Sequence, residues 1–579
     1  MHLQGEADTG GIELTLNRRL RDLRQITSKL ENFRMTPLQT CEAIIQNRLA
    51  NSQARQFFSG LPNDEKHYWI ASLYALLMPK GRRRRLAAYF TPPHLAQHAI
   101  NTLIDAGIRP GKHRILDPAS GGAAFLVPLA AQIADDARKR GSSAETILHA
   151  IEATLAGVEI EPHLASLSRS LLSDLLRNEI GAAGRELNVP IRRANTLKLS
   201  LPERLYDAVI GNPPYGRVYR PSKALLKRFG PVITDGYVNL YALFVEQSLR
   251  CVRPGGVVCL VIPVSFVGGA YFAALRQRIL ETSRVLHLDP IDKRSDVFLD
   301  VLYDICVLVL QKKGIIARST HATSSLLLAD KQPRKLGRLD LPASPSDRIW
   351  ALPDGAQDDQ LFQEGLQTLH DYGYVAKTGY FVWNREQHRY RTGYSPHANE
   401  VPLFWAHNVK ANTNCKPRDG DSGSKHLDFV TVAKDSSAIV RTDAIILQRT
   451  TNRSQKRRLI AAVVRKDEVP GQRGFVSENH TILILPDPAR RQAVPLKMLC
   501  RLLNTAAVDA RFRRISGTVS VSTKALRELP LPTPEQVRVA FAAVRDDGEA
   551  AETAYTRSLG DNRQKSCRTK STPRNHGGG

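Results

Sequence analysis

The sequence predicts an α/β protein built around a parallel sheet with helices on both faces. From about residue 86 to 315, short apolar runs alternate with segments of helix length, which is typical of a doubly wound sheet. Hydrophobic residues make up 42% of the chain, which excludes a chain that is disordered throughout. At 579 residues, the chain is long enough for about two to four domains.

The regions on either side of this α/β part have a different character. Residues 1–85 are predicted to be helical, because leucines recur at helical spacing opposite arginines, and a second helix is expected over 64–77. The polar segment 316–350 is predicted to be a linker. Residues 351–540 mix strand and helix patterns, which predicts an α+β domain, and the basic tail 541–579 is expected to be disordered.

Four apolar runs in the α/β part are the predicted strands of the sheet. The longest uncharged run, Gly255–Leu275, is interrupted by Pro263 and two Gly-Gly pairs. We therefore expect a buried strand with flanking turns there and no membrane-spanning helix. The predicted strands are 114–116, 155–158, 206–210 and 257–262.

The chain is strongly basic. Lys and Arg number 82 and Asp and Glu number 56, which gives a net charge of +26. This excess predicts a polyanionic partner, nucleic acid before a membrane surface. Segments 17–34, 78–86, 441–470 and 555–579 together carry +19 of the charge. They lie mostly outside the α/β core, so we expect them to hold the nucleic acid around it.

The cysteines indicate a reducing compartment. Seven are present, an odd number, and none forms a CxxC or Cys/His pattern with the spacing of a metal site. We therefore expect no structural zinc and no other metal. No signal peptide is visible after Met1, which predicts a cytoplasmic protein.

The first candidate site is the segment Ile115–Phe125. A predicted strand ends in Asp117, and small residues then lead into a helix. In an open parallel sheet, ligands bind at the carboxyl ends of the strands, where small residues let the backbone approach them. The segment has neither GxGxxG nor a P-loop lysine, so a phosphate site is not favoured. A carboxylate here suits a cationic or hydroxyl-bearing ligand.

The second candidate is the segment Gly157–Pro162, where another predicted strand ends in an acid. A carboxylate at this position, Glu159, can bind a ribose diol, as in dinucleotide sites. Ile160 could then pack on an adenine face. A strand that simply ends in solvated acids remains an open alternative.

The third candidate is the most specific. The apolar strand Tyr206–Ile210 leads directly into Gly211 and then Asn212-Pro213-Pro214-Tyr215. Two prolines make a rigid turn without backbone donors, so its carbonyl groups remain available as acceptors. The Asn side chain adds an acceptor, and the Tyr ring offers a stacking face. Together they could hold an exocyclic amino group.

These motifs, in this order, resemble those of DNA adenine-N6 methyltransferases of restriction–modification systems, close to the gamma class of TaqI-like enzymes. Asn212–Tyr215 matches that family's catalytic tetrapeptide, and Asp117–Phe125 and Gly157–Pro162 resemble its cofactor motifs. Upstream, Tyr89–Pro93 resembles the segment that closes over the methionine end of the cofactor. The resemblance is specific over about 86–315 and looser beyond it.

The resemblance implies a Rossmann-like S-adenosylmethionine-dependent methyltransferase core with a helical N-terminal extension and a C-terminal mixed α+β DNA-recognition domain. The implied cofactor is S-adenosyl-L-methionine. Asn195 stands where family members often carry an Asp that binds the adenine amino group, and its carbonyl oxygen can still accept a hydrogen bond. The expected cofactor-binding residues are Thr91, Asp117, Ala119, Ser120, Gly121, Glu159, Ile160 and Asn195.

The resemblance also implies how the target base is held. The adenine leaves the duplex, because its N6 cannot be reached inside the stack. Asn212 and the Pro213 carbonyl would accept the two N6 hydrogens, which makes the lone pair of N6 available. Tyr215 and Phe298 would stack on the base, which is worth about 1–3 kcal/mol per base. The catalytic set is Asn212, Pro213, Pro214 and Tyr215.

The C-terminal region is expected to read the DNA sequence. Residues 442–464 are rich in Arg, Lys, Gln and Asn. Arg suits guanine edges and Gln or Asn suits adenine edges in the major groove, and Lys and Arg also contact phosphates without sequence specificity. A solvated basic loop is the alternative. The expected DNA-binding residues are Arg449, Asn452, Arg453, Lys456, Arg457 and Arg458.

The expected partners are double-stranded DNA and a separately encoded restriction endonuclease, with the protein a monomer in a bacterial or archaeal cell and no membrane involved. An RNA or protein-glutamine methyltransferase is an alternative, since both can carry the Asn-Pro-Pro-Tyr motif. A non-catalytic specificity subunit is another, and the intact motif argues against it. A fused nuclease is not favoured, because no Pro-Asp…Glu-x-Lys cluster is found.

Overall fold

The structure is a computed structural model, and its chain divides into two compact units. The first comprises 1–266, 270–348 and 352–357, and the second 267–269, 349–351 and 358–579. The residues that the structure describes are 11–31, 34–79, 81–83, 91–201, 203–291, 304–314, 322–328, 331–339, 341–342, 349–353, 367–382, 385, 390–391, 399–416, 428–450, 457–516 and 520–542.

The first unit begins with four helices, as the leucine spacing predicts. Thr36 and Gln39 form a capping box at the start of the second helix, in which each side chain bonds the other residue's backbone N–H. Buried residues such as Leu23, Trp69 and Leu73 share one hydrophobic cluster with Leu171 of a later helix. The four helices are α1 (Gly11–Leu30), α2 (Pro37–Ile45), α3 (Ser52–Ser59) and α4 (Asn63–Leu77).

A nine-stranded sheet forms the centre of this unit, with strand order β3-β2-β1-β4-β5-β7-β6-β8-β9. The first five strands are parallel, and β7 lies antiparallel between β5 and β6. The strands are β1 (Ile115–Asp117), β2 (Leu155–Glu159), β3 (Ile191–Arg193), β4 (Tyr206–Gly211), β5 (Val252–Pro263), β6 (Ser283–Pro290), β7 (Ile305–Lys312), β8 (Thr323–Leu328) and β9 (Lys331–Arg338).

The helices between these strands cover the sheet, as the alternating pattern predicts. The parallel crossovers β1–β2, β2–β3 and β4–β5 carry helices. In the first of these, the apolar side of the helix is buried through Leu126, Leu129 and Ile133. The helices are α5 (Pro93–Asp105), α6 (Leu126–Lys139), α7 (Ala144–Thr154), α8 (Pro162–Leu175), α9 (Arg177–Ala183), α10 (Lys223–Phe229), α11 (Leu240–Cys251) and α12 (Ala273–Thr282).

Strands β8 and β9 lie inside 316–350, the segment expected to be a linker. They extend the sheet at the edge beside β6, with Thr323 next to His287. The sequence of β9, which carries two lysines and two arginines, has no apolar run that would predict a strand. An edge strand needs no buried face, and charged residues there are common because they prevent further pairing.

Within its described segments, the second unit contains two four-stranded sheets and four α-helices, the mixed α+β composition expected for 351–540. One sheet has the order β10-β17-β14-β15 and is antiparallel, and the other has the order β11-β13-β12-β16. The strands are β10 (Tyr374–Thr378), β11 (Tyr390–Arg391), β12 (Glu400–Phe404), β13 (Phe429–Thr431), β14 (Ala444–Gln448), β15 (Ala461–Val464), β16 (Val476–Ser477) and β17 (Thr481–Pro486). The helices are α13 (Leu496–Leu503), α14 (Ala506–Ser516), α15 (Thr523–Arg527) and α16 (Pro534–Ala542).

The predicted fold class is confirmed: a Rossmann-like α/β core, a helical N-terminal part and a mixed C-terminal part. Among the described residues, no helix is both long and apolar enough to cross a bilayer. Six cysteines of the described segments are buried free thiols, and Cys567 lies outside those segments. No group of three or more His, Cys, Asp or Glu side chains in the same segments is arranged to hold a metal ion.

Candidate active site

An open cleft of about 1020 Å³ lies where the strand order of the sheet reverses. The reversal falls between β1 and β4, which run parallel and end in Asp117 and Gly211. Such switch points are the usual ligand-binding crevices of open α/β sheets. The cleft is lined by Thr91, Asp117, Pro118, Ala119, Ser120, Gly121, Ala124, Phe125, Val158, Glu159, Ile160, Leu164, Ala194, Asn195, Thr196, Leu197, Asn212, Pro214, Leu240 and Phe244.

The cleft brings together all eight expected cofactor residues and two of the four expected catalytic residues, Asn212 and Pro214. The motifs are far apart in sequence and meet because each follows the carboxyl end of a parallel strand. The other two members of the tetrapeptide, Pro213 and Tyr215, are not among the residues that line the cleft.

Asp117 is a buried carboxylic acid at the end of β1. Its Oδ1 accepts the backbone N–H of Ala119 at 3.0 Å. No described residue bonds its buried Oδ2. Burial raises the pKa of Asp117 to about 8, the N–H of Ala119 opposes the rise, and the charge of Glu159 adds to it. A buried acid with one unpartnered oxygen is suited to a ligand that supplies a donor or a positive charge.

Gly211 makes room for Asp117. A Cβ at Gly211 would lie 2.9 Å from Asp117 Oδ1 and 3.2 Å from Pro118 Cδ. The residue before the tetrapeptide therefore has to be small. No motif in the sequence predicts this role, although the glycine stands directly beside the catalytic tetrapeptide.

Glu159, at the end of β2, holds the turn that follows β1. Its Oε2 accepts the N–H of Gly121 at 2.8 Å, and its Oε1 accepts the N–H of Glu161 at 2.7 Å. Burial raises the pKa of Glu159, and these two N–H groups oppose the rise. An ionised carboxylate has about four lone-pair positions, so both oxygens can still accept from a ligand hydroxyl.

The rest of the cleft wall includes a polar residue, Asn195, and an apolar residue, Ile160. Asn195 Oδ1 accepts the N–H of Leu197 at 3.0 Å, which orients the amide beside the cleft. Thr196 donates through Oγ1 to the Pro118 carbonyl and joins this wall to the turn after β1. Ile160 is 54% exposed, unusual for its size, and its apolar surface borders the cleft.

Both polar atoms of the Asn212 side-chain amide form hydrogen bonds. Its Nδ2 donates to Thr91 Oγ1 at 3.1 Å, and its Oδ1 accepts from the Tyr215 hydroxyl at 2.6 Å. Tyr215 also lies 3.1 Å from the carbonyl of Val261. Burial raises the pKa of Tyr215 well above its usual value, so the hydroxyl stays protonated and remains a donor. The sequence assigned Thr91 to the cofactor and Tyr215 to the base; both also orient Asn212.

The Pro213 carbonyl is a free acceptor within the described part of the chain, since no hydrogen bond there reaches it. Asn212 Oδ1 keeps a second lone pair beside the one that accepts from Tyr215. Two acceptors thus stand one residue apart at the end of β4, next to the cleft.

The residues present fit the expected cofactor. Asp117 Oδ2 and Ser120 Oγ are buried without a partner among the described residues, and both belong to residues of the cleft wall. Asp117 suits a positive charge, Glu159 a diol and Ile160 an aromatic face. Phe125, Leu164 and Phe244 add apolar surface and are not among the eight expected cofactor residues.

Several expected contacts with DNA are not tested by the structure. Phe298, Asn452, Arg453 and Lys456 lie outside the described residues. Arg82, from the basic segment 78–86, pairs with Glu161 at 2.8 and 2.9 Å.

Three further expected DNA contacts make bonds within the second unit. Arg449 donates to the carbonyl of Asn479 at 2.9 Å, and Arg457 donates to the carbonyl of Asn504. Arg458 differs most from the expectation, because it is only 6% exposed and its N–H bonds Asp509 at 2.6 Å. Asn479 lies between β16 and β17, Asn504 directly follows α13, and Asp509 lies on α14. A local sequence pattern does not reveal these partners.

Comparison with known proteins finds similarity to methyltransferases of restriction–modification systems. Residues 167–298, which include the tetrapeptide, match the family model of the Eco57I restriction-modification methylase. The chain is 24% identical over 356 residues to the Type II methyltransferase M.BsuBI of Bacillus subtilis and 24% identical over 357 residues to M.PstI of Providencia stuartii. Each alignment covers 57% of this chain and 66% of the relative, slightly less than two thirds of its length.

Two solved structures share the fold. The Type IIL restriction-modification enzyme MmeI, solved in complex with DNA, aligns over 99% of this chain and 94% of its own, with 14% identity and a TM-score of 0.50. The Type ISP enzyme LlaGI, a nuclease-deletion mutant with a DNA substrate mimic, aligns over 91% of this chain and 53% of its own, with 12% identity and a TM-score of 0.50. At these identities the likeness concerns the fold.

Proposed function

We propose that this protein is a site-specific DNA methyltransferase that transfers a methyl group from S-adenosyl-L-methionine to N6 of an adenine, within a restriction–modification system. One observation carries the proposal: a single cleft joins Asp117, Glu159 and Asn195 to Asn212 and Pro214. The similarity to Type II methyltransferases supports the reaction class. The adenine target rests on the Asn-Pro-Pro-Tyr motif.

The cofactor would lie along the ends of β1 and β2. Asp117 and Thr91 would contact its methionine part, Glu159 its ribose, and Ile160 and Asn195 its adenine. When bound, it supplies an electrophilic methyl group on a sulfonium sulfur. The chain's own task is to place a nucleophile in line with that methyl group.

Asn212 and Pro213 would supply the acceptors for the target amine. The target amine would donate one N6–H to Asn212 Oδ1 and the other to the Pro213 carbonyl. The nitrogen then becomes pyramidal, and its lone pair points away from the two acceptors. Thr91 and Tyr215 hold Asn212 with its oxygen fixed, so little reorganisation is needed during reaction. The amine becomes cationic as the methyl group is transferred and then loses a proton easily, so a strong general base is not demanded.

Labelled methyl transfer tests the proposal directly. The full chain, radiolabelled cofactor and duplex DNA are expected to give N6-methyladenine, identified by digestion to nucleosides. Label in cytosine would overturn the adenine assignment, and label only in RNA or protein would overturn the DNA substrate. Sequencing the DNA of a methylation-free host that expresses the protein would give the recognition sequence.

The Asn212→Ala variant separates binding from chemistry. We expect cofactor affinity within about twofold of wild type and a fall in kcat of about 10²–10³, the range for loss of one preorganised polar group. Asn188→Ala, an exposed asparagine outside the cleft, is the matched control. Unchanged turnover in Asn212→Ala would remove Asn212 from the mechanism.

A further inference from the structure

The segment from Gly216 to Asn239 is a loop whose two ends lie next to each other, directly after the tetrapeptide. The N–H of Leu240 bonds the Gly216 carbonyl at 2.8 Å, and the N–H of Val218 bonds the Val238 carbonyl at 2.9 Å. Arg217 also pairs with Asn239 in an antiparallel bridge. Both ends of this segment are thus fixed next to Tyr215, and helix α10 lies within it.

The segment carries a dense run of positive charge. Residues 217–228 contain five Arg or Lys residues and no Asp or Glu. Arg228 bonds the Leu199 carbonyl and Gln247 Oε1. Within the described part of the chain, no carboxylate lies within salt-bridge distance of the other four, all of which are exposed: Arg217, Arg220, Lys223 and Lys227. Four unpaired like charges repel each other, and a polyanion would relieve that repulsion.

Tyrosines accompany these cations. The Arg217 guanidinium lies 5.3 Å from the ring centre of Tyr219 and 4.9 Å from that of Tyr237. Tyr237 stacks on Tyr271, with ring centres 4.6 Å apart and planes 20° apart. Tyr219 is 81% exposed and Tyr271 is 55% exposed. Exposed aromatic faces beside cations are the elements with which proteins bind unstacked bases.

A chain of ring contacts connects this surface to the tetrapeptide. Tyr215 meets Tyr241 edge to face at 6.5 Å, and Tyr241 stacks on Phe272 at 5.2 Å. Phe272 meets Tyr237 edge to face at 5.9 Å. Tyr271 is therefore connected, ring on ring through Tyr237, to the residue that orients Asn212, and Tyr219 joins the same surface through Arg217.

We propose that these residues form a DNA-contact surface, here named the tyrosine–cation surface, which holds the strand that carries the target adenine. Its cations contact phosphates, and Tyr219 and Tyr271 stack on bases that become unpaired next to the flipped adenine. The inference rests on the proposed function and deepens it. The tyrosine–cation surface consists of Arg217, Tyr219, Arg220, Lys223, Lys227, Tyr237 and Tyr271.

The cations are tested through the salt dependence of DNA affinity. We measure the affinity of the full chain for duplex DNA that contains its recognition sequence with the target adenine unmethylated. The protein is saturated with S-adenosylhomocysteine, and the measurement is made at several salt concentrations. In the triple variant R220A/K223A/K227A, the slope of log affinity against log salt is expected to fall by about 0.9 for each lost phosphate contact, so by about 2–3 in all. An unchanged slope would overturn the role of the cations.

The matched control is the triple variant K112A/K139A/R140A. These exposed cations lie before β1 and at the end of α6, at the amino ends of the strands, on the edge opposite the cleft. The control removes the same amount of charge, but from the edge opposite the cleft. Its slope of log affinity against log salt is therefore expected to stay at the wild-type value. An equal fall in both triple variants would mean that only total charge matters, which overturns the surface.

The tyrosines are tested with 2-aminopurine next to the target adenine. Tyr219→Ala and Tyr271→Ala are expected to raise its fluorescence in the complex and to weaken binding by about 5- to 150-fold, the equivalent of one stacking contact. Tyr→Phe at either position is expected to restore both values, because stacking needs the ring and not the hydroxyl. Wild-type behaviour of the Ala variants would overturn the stacking role.

Failure of this inference and failure of the proposed function are distinguishable. If the wild type methylates adenine in DNA and the surface variants match the control, only the surface assignment is overturned. If the wild type transfers label to RNA or protein and none to DNA, both are overturned.

Discussion

At the scale of single residues, Asp117 has the environment best suited to respond to a ligand. It is buried at the cleft, one oxygen has no partner among the described residues, and its pKa is raised to about 8. The proposed cofactor carries positive charge on its methionine part. Near that charge the ionised form of Asp117 is favoured, so binding below pH 8 releases a proton.

Cofactor affinity is therefore expected to rise as pH increases from about 6 to about 8, by up to tenfold per pH unit, and then to level off. In Asp117→Asn, which cannot ionise, this part of the pH dependence disappears. Isothermal titration calorimetry of the full chain in buffers of different ionisation enthalpy measures both the affinity and the proton release.

The control for this experiment is Asp136→Asn, an exposed carboxylate on α6. The cofactor's own amino group also titrates in this pH range, and its contribution is the same for every variant. Comparison with Asp136→Asn therefore corrects for it. If Asp117→Asn kept the slope of the wild type, Asp117 would not be the group that releases the proton.

At the scale of secondary-structure elements, the site depends on how closely β1 and β4 end beside each other. Val209 pairs with Leu116, so Gly211 comes to lie against Asp117. The rigid Pro-Pro turn then begins at once. A side chain at Gly211 would push the tetrapeptide away from the acid that it accompanies.

Gly211→Ala is expected to lower the free energy of unfolding by about 1–3 kcal/mol, the usual cost of overpacking a buried contact. We also expect weaker cofactor binding, since Asp117 and Pro118 must move. Chemical denaturation and calorimetry of the same preparation measure the two effects.

Gly181→Ala is the matched control. Gly181 lies in α9, and a Cβ there would meet no atom within 4 Å. This substitution is expected to be neutral or to stabilise by about 0.5–1 kcal/mol, because alanine favours a helix. Equal stability of the two alanine variants would contradict the contact at Gly211.

At the scale of the whole molecule, the net charge of +26 is used in more than one way. Some basic residues bond within their own unit, as Arg82 does with Glu161 and Arg457 with Asn504. Others, such as Arg220 and Lys223, have no carboxylate within reach in the described segments. The second kind is expected to neutralise phosphates, to release counterions from DNA and so to contribute to the salt dependence.

Residues 555–579 carry a net charge of +5, and their deletion tests what that charge does. We expect weaker binding to DNA that lacks the recognition sequence, with a smaller salt slope, and an unchanged kcat on the specific site. A variant with the same tail composition in shuffled order is expected to behave as wild type. A fall in kcat on deletion would give the tail a role beyond non-specific attraction.

The sequence by itself was sufficient for the α/β core and for the eight expected cofactor residues that line the cleft. Apolar runs such as 206–210 are strands because their side chains are buried on both faces, and parallel strands end at one edge. Asp117, Glu159 and Asn212 each follow such a run, so their meeting at the cleft follows from local patterns alone.

Only the tertiary structure decided those features that depend on partners distant in the chain, namely strand pairing and the hydrogen-bond partners of polar groups. The polar strand β9 pairs with β8, and the backbone N–H of the buried Arg458 bonds Asp509, on a helix about fifty residues later. Thr91 and Tyr215 orient Asn212 through hydrogen bonds that no spacing predicts. A sequence pattern records which faces are buried, whereas the partner of each polar group depends on how the elements pack.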